Sequence, residues 1–336
     1  MIIKRFTSES HFLPAYVVLW ALVLWLDGFI NFRNIEFFIS ENSAPLYRLT
    51  YLAFVHAPFV STLVAFVFLL VQAFMLNNLF ASKSLIDRNS YLPALFYITF
   101  MSFSFEMLGF HPVLFANFFL IIALNKIFDV YNENEVFLEV FNSGLLIGLA
   151  TMFYFPAFVF FFFLLVALAV YFLINLRGVL AALFGFATPM LYIGVYYYLT
   201  DNLSEQVEIY TEGIRLLSVF SYNFPAYFYI FYSLVFLIGL SALAKLYLSY
   251  SRGKPVRIRK RFTALGYFIF FAVHSYLFVR DFPIKHFGIM AIAISPVFAV
   301  YFQEIKKRNW KEGLFTLFII MIILEKLSGL GYVHFL

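Results

Sequence analysis

The sequence predicts an all-α integral membrane protein with about eleven transmembrane helices and amphipathic interfacial helices on one face. Three observations predict it. Of 336 residues, 64% are hydrophobic and only 12% are charged, against about 25% charged in an ordinary soluble domain. Aromatic residues make up 23%, with 50 phenylalanines, a bulk that suits hydrocarbon better than water. The Lys and Arg residues gather in polar connections between apolar runs of roughly 20 residues, the length that crosses a bilayer. So few polar groups cannot cover a water-facing surface, which excludes a soluble globule or a disordered chain. The net charge of +5 is no nucleic-acid footprint, because the cations sit between apolar runs. With no Cys, disulfides, thiolate metal sites and thiol chemistry are excluded.

The first run, 14–33, follows Lys4 and Arg5. It exceeds a signal-peptide apolar core and lacks a small-x-small cleavage site, so it reads as a retained helix. Further spans are expected at 56–79, 91–105, 113–130, 139–155, 157–176, 179–200, 225–250, 264–279, 286–303 and 313–331. The runs 91–105 and 139–155 are short and also fit as arms of half-buried hairpins. Pro156 parts the fifth run from the sixth, because proline removes a backbone donor and disfavours helix before it. The connection 251–263 is too polar to lie in hydrocarbon. Segments 34–55 and 201–224 mix acids with apolar residues at roughly helical spacing and read as interfacial helices.

Orientation follows from the cations. With the N-terminus in the cytoplasm, 17 of the 23 Lys and Arg fall inside, six of them between Arg252 and Arg261. That run reads as an orientation signal touching anionic lipid. The C-terminus then lies outside. The chain is expected to form a single polytopic domain over 1–336, with 201–224 as an outer amphipathic segment and 225–336 as its C-terminal helices.

No phosphate-binding loop, dinucleotide fingerprint or zinc helix motif is present, and no metal site or cofactor is specified. Ionisable groups near membrane depth are costly and mark functional candidates. Asp27 stands near the outer end of the first span, either as a base or as an interfacial carboxylate paired with Arg33. Glu36, Glu41, Arg48 and His56 follow it. Glu106 and His111 occupy a tight outer turn. Arg280, Asp281, Lys285 and His286 form an outer cluster that suits a phosphate or a self-compensated surface pair.

The order of these features carries a resemblance. An acid ends the first span, and Ala57-Pro58 opens a second that closes on Asn77-Asn78-Leu79-Phe80. The Glu106–His111 turn leads into Pro112-Val113-Leu114-Phe115-Ala116-Asn117, and Gly144-Leu145-Leu146-Ile147-Gly148 follows. Residues 10–200 so arranged resemble the GT-C superfamily of polyprenyl-phosphate-dependent membrane glycosyltransferases. They are also similar to a family of polytopic inner-membrane proteins of Bacteroidota. The resemblance implies a bacterial inner-membrane protein with a periplasmic C-terminus, and membrane lipids, among them a polyprenyl phosphate, as partners. It places the catalytic acid at Asp27 or, less well, Glu36; the polar residues singled out above, Arg48, His56, Glu106, His111, Arg280, Lys285 and His286, are then the candidates for binding substrate. Two features depart from the superfamily pattern: Gly28 replaces the second acid of the usual pair, and the large outer C-terminal domain is missing. A noncatalytic subunit of an envelope complex, held by partner membrane subunits, is therefore the alternative reading. A transporter is a second alternative, with Glu139 and Glu325 near span ends.

Overall fold

A computed structural model describes residues 3, 6, 12–35, 39, 43–130, 136–214, 226–250, 255–279, 283–305 and 307–329. Among these residues the chain is helical, without strands. The helices are α1 (Leu13–Ile30), α2 (Pro45–Phe54), α3 (Pro58–Ser82), α4 (Leu92–Met101), α5 (Pro112–Asp129), α6 (Val136–Phe153) and α7 (Val159–Val170). After them come α8 (Leu176–Leu199), α9 (Leu203–Ile214), α10 (Ala226–Tyr250), α11 (Val256–His274), α12 (Pro283–Glu304) and α13 (Arg308–Gly329). Short 3₁₀ turns occupy Phe32–Asn34, Phe105–Met107, Phe155–Phe158 and Ser275–Phe278. Proline stands in the first two positions of α1 through α5, where its missing N–H has no helical partner to lose.

Among the described residues, eight helices are long and apolar enough to cross a membrane: α1, α3, α5, α6, α8, α10, α11 with its following turn, and α12. The chain is an α-helical protein of membrane-spanning character. The other predicted runs also fall on helices, with different bounds. The run 91–105 contains only the ten-residue α4, about 15 Å long, and cannot cross a core of about 30 Å as a helix. The run 157–176 stops at Val170 because Phe172 takes a left-handed φ of 61° and Asn175 caps α8, its Oδ1 accepting from Gly178 N at 2.8 Å. The connection 251–263 is helical from Val256, with Pro255 as its N-cap, since Arg and Lys are good helix formers. Helices α2 and α9 fill parts of the two predicted interfacial segments. Glu36, Glu41, Arg215, Arg280 and Asp281 lie outside the described residues.

The core is built on α4, all ten of whose residues are buried, packed against α12. Phe96 and Phe100 of α4 meet Phe298 of α12 edge-on, with centroids 5.7 and 5.2 Å apart, a favourable quadrupole geometry. Inside this apolar mass sits one polar node. Tyr97 donates to Gln72 Oε1 at 2.6 Å, while Asn117 Nδ2 donates to Tyr97 at 3.1 Å and to Gly288 O at 2.8 Å. Gln72 Nε2 donates to Leu114 O at 2.8 Å. The node ties α3, α4, α5 and α12, each such bond contributing about 1 kcal/mol in a membrane interior. Helices α6 and α8 approach each other closely. A Cβ at Gly144 would meet Ala182 O at 2.4 Å, and one at Gly185 would meet Phe141 O at 2.1 Å. Gly144 and Gly148 are four residues apart, the small-residue spacing that lets apolar helices touch backbone to backbone.

The helix ends gather into two polar zones. One contains Arg261, whose Nη1 donates to Lys83 O and Nη2 to Phe128 O, both at 3.0 Å. It thereby caps the ends of α3 and α5. Lys83 pairs with Asp129, Lys126 with Glu139 at 3.1 Å and Lys245 with Glu304 at 3.4 Å. Arg261 is buried at 4% exposure, so this residue of the predicted lipid-contact run is a helix clamp instead. The other zone contains Asp27.

Candidate functional site

Asp27 stands in the last turn of α1, one helical turn before Asn31. Its Oδ1 accepts from Asn31 Nδ2 at 2.7 Å, not from Arg33, whose guanidinium lies 5.7 Å from the Phe32 ring centroid. Its Oδ2 is buried and makes no hydrogen bond. One oxygen is thus held and the other keeps its lone pairs.

The neighbouring charge comes from the far end of the chain. Lys326 of α13 donates to Leu24 O of α1 and lies within electrostatic reach of both Asp27 and Glu325. Glu325 is buried at 3% exposure. Its Oε1 accepts from Ser104 Oγ at 2.6 Å and its Oε2 from Phe105 N at 3.2 Å. Ser104 Oγ in turn accepts from Glu106 N at 3.3 Å, so the turn between α4 and α5 is organised by a carboxylate 221 residues away. Glu106 itself is exposed.

His111 is the N-cap of α5. Its Nδ1 accepts from Leu114 N at 3.2 Å, which places the proton of the neutral ring on Nε2. That atom is buried without a hydrogen-bond partner. Burial, with the Lys285 charge adding to it, holds the imidazole well below the ordinary histidine range. Lys285 is 4% exposed in the first turn of α12. His286 is fully buried. Its Nδ1 meets the Tyr154 hydroxyl at 2.8 Å and its Nε2 the Ser275 Oγ at 3.0 Å. Ser275 gives its only hydroxyl proton to Ala272 O at 2.8 Å, so Nε2 carries the ring proton and Nδ1 accepts from Tyr154. A phosphate could reach neither nitrogen without breaking one of these bonds.

The sequence-predicted residues therefore divide. Asp27, Glu106, His111, Lys285 and His286 lie at one end of the bundle; Asp27 and Glu106 are linked through Lys326, Glu325 and Ser104, His111 lies within electrostatic reach of Lys285, and His286 is held by Tyr154 and Ser275. Arg48 is half-buried in α2 and donates from Nε to Ser43 O at 3.1 Å. His56 is exposed in the turn before Pro58. Sequence reasoning missed Ser104, Tyr154, Ser275 and Lys326 as members, and took Glu325 only for a span-end acid. The available signal was the adjacent Glu325-Lys326 pair inside an apolar run. Among the described residues, no three His, Asp or Glu side chains converge as a metal site requires. Comparison with protein-family models, with curated proteins and with solved structures returned no match.

Proposed function

We propose that this chain is a GT-C-like protein of the bacterial inner membrane that transfers a sugar from a polyprenyl-phosphate-linked donor at the periplasmic face, with Asp27 as general base. The observation that carries the reading is the Asp27 carboxylate: Oδ1 fixed by Asn31, Oδ2 without a hydrogen bond, and Lys326 within electrostatic reach. In the reaction Oδ2 takes the proton of an acceptor hydroxyl, whose oxygen attacks the anomeric carbon. The bond from that carbon to the donor phosphate breaks, and the phosphate leaves with the electron pair. Lys285, buried within electrostatic reach of His111, favours the departing charge in this reading; Arg280, five residues earlier in sequence, is the second cation assigned to it. A lipid-borne donor cannot leave the bilayer, so a site at a helix-bundle end suits it.

The test is Asp27→Asn in membranes supplied with radiolabelled lipid-linked sugar. The expected result is loss of transfer with the protein still folded; full transfer by the variant would rule the assignment out. The second reading, a noncatalytic subunit of an envelope complex, draws on His286 and Glu325, whose polar atoms are engaged in holding helices together. A stoichiometric partner that copurifies in mild detergent, with no transfer by the wild type, would favour it.

A further inference from the structure

Helices α10 and α11 both pack against α12 but scarcely touch each other. Between them runs a cavity of about 410 Å³. Its floor is α12, at Ile294 among others, and its walls carry Val235, Gly239 and Leu243 on one side and Ile269 on the other. The polar residues at its edge are two tyrosines at one end, Tyr232 and Tyr276, whose hydroxyls face each other. Glu106, of the zone that contains Asp27, lies within electrostatic reach of Tyr232. The outer flank of α10 beside the cavity is apolar and exposed, with Phe236, Leu237 and Leu240 at 67, 63 and 56%.

From these features we infer that the groove is a lipid site that holds one acyl chain of a diacyl glycerophospholipid, its headgroup at the Tyr232–Tyr276 end. The walls offer a ligand only dispersion contact and no hydrogen bonds, so the ligand segment within them is hydrocarbon. The groove opens beside side chains that are apolar and exposed on a helix of membrane-crossing length, so its surroundings are lipid tails. The length fits as well. Tyr232 to Leu243 is about 16 Å along a helix, and one leaflet of a core of about 30 Å is about 15 Å deep. The groove is therefore about as long as one acyl chain is deep in its leaflet. A polyprenyl chain, several times longer, would leave most of its length outside. Tyrosine is a common residue of the membrane interface, and here two of them close one end of the groove with their hydroxyls turned to each other.

This inference stands apart from sugar transfer and does not require it. Its test uses wild-type protein in nanodiscs containing phosphatidylcholine with a diazirine in one acyl chain. After irradiation, adducts are mapped by peptide mass spectrometry. The expected adducts concentrate on Val235–Leu243 and on Ile269–Val273, above the level on the exposed apolar faces of α1, α3 and α8. Even labelling of all lipid-facing helices overturns the proposal. The second arm is Gly239→Leu. A Cβ at Gly239 meets only Phe298 Cε2, at 3.7 Å, so a side chain there enters the groove without displacing backbone. The variant should lose most of the groove adducts and keep those elsewhere, and unchanged groove labelling overturns the inference. Lipid extracted from wild type purified in mild detergent should contain a phospholipid that is depleted from Gly239→Leu. Recovery of a polyprenyl phosphate in its place assigns the groove to a different lipid and overturns the acyl-chain assignment.

Discussion

The two polar ends of the bundle use charge in opposite ways. At the Arg261 end, opposite charges neutralise each other and a guanidinium closes the carbonyl ends of two helices. Cations belong at helix C-termini, where the carbonyls point outward, and Lys83, Lys126 and Arg261 all follow that rule. At the Asp27 end the partners come from remote parts of the chain. Glu325 reaches Ser104, Lys326 reaches Leu24, and His286 reaches Tyr154. Both ends hold buried atoms without a hydrogen bond, Asp27 Oδ2 and His111 Nε2 here, Asn77 Oδ1 and Arg261 Nε there. The lesson is that the first end pairs its charges mainly with each other, while the second holds Glu325 by a hydroxyl and a backbone N–H and Lys326 by a carbonyl.

Substitutions at four positions would break or sharpen that contrast. The largest effect is expected for Asp27→Asn, which should lower transfer by about 10²–10⁴-fold, the usual contribution of a positioned general base. Its melting temperature in detergent should stay near that of wild type, because Asn retains an oxygen to accept from Asn31. Next comes Arg261→Ala. It leaves buried helix-end carbonyls unsatisfied and should cost about 3 kcal/mol, measured as a lowered midpoint of unfolding, with no specific effect at the Asp27 end. If Arg261→Ala were as stable as wild type, the clamp would not be holding α3 and α5.

His111→Asn comes third and reads out through pH. The folded imidazole stays neutral well below the ordinary value of 6.5, whereas the unfolded one binds a proton as pH falls through that value. Stability from this residue is thus present above about pH 6.5 and lost progressively below it. Asparagine keeps an N-cap acceptor for Leu114 N without this liability. The variant should match wild type near pH 7.5 and exceed it by about 2 kcal/mol at pH 5. Equal acid sensitivity of the two proteins would remove His111 as the cause. The smallest effect belongs to Glu325→Gln, which retains an acceptor for Ser104 or Phe105 N and should cost about 1 kcal/mol. Glu325→Ala should cost more, and the gap between the two, measured by thermal unfolding, gives the value of the bond to the turn.

The helices were readable because hydrocarbon demands long apolar runs and because proline marks where many of them begin. Pro58, Pro112 and Pro156 fell where local sterics require. What the local pattern could not provide was depth. The run around Leu92–Met101 looks like a lipid-facing span, yet protein encloses all of it. The cations from Arg257 to Arg261 look like a solvated run, yet the last of them is buried against two carbonyls. Asp27, His111 and Lys285 stood out because polar groups are rare in this chain. Lys326 and Ser104 did not, because what makes them members of the site is contact across more than two hundred residues, which no local period encodes.

The burial of α4 also bears on how the chain is made. A helix too short to rest in lipid by itself cannot be completed when it leaves the ribosome. Its sheath, α12, is synthesised some two hundred residues later. Until then its apolar sides must wait against lipid, an insertion factor or a neighbouring loop. Completion of the first half therefore depends on translation of the last third. A chain cut short before Pro283 would present an unsheathed core, the kind of surface by which quality control distinguishes fragments from finished proteins.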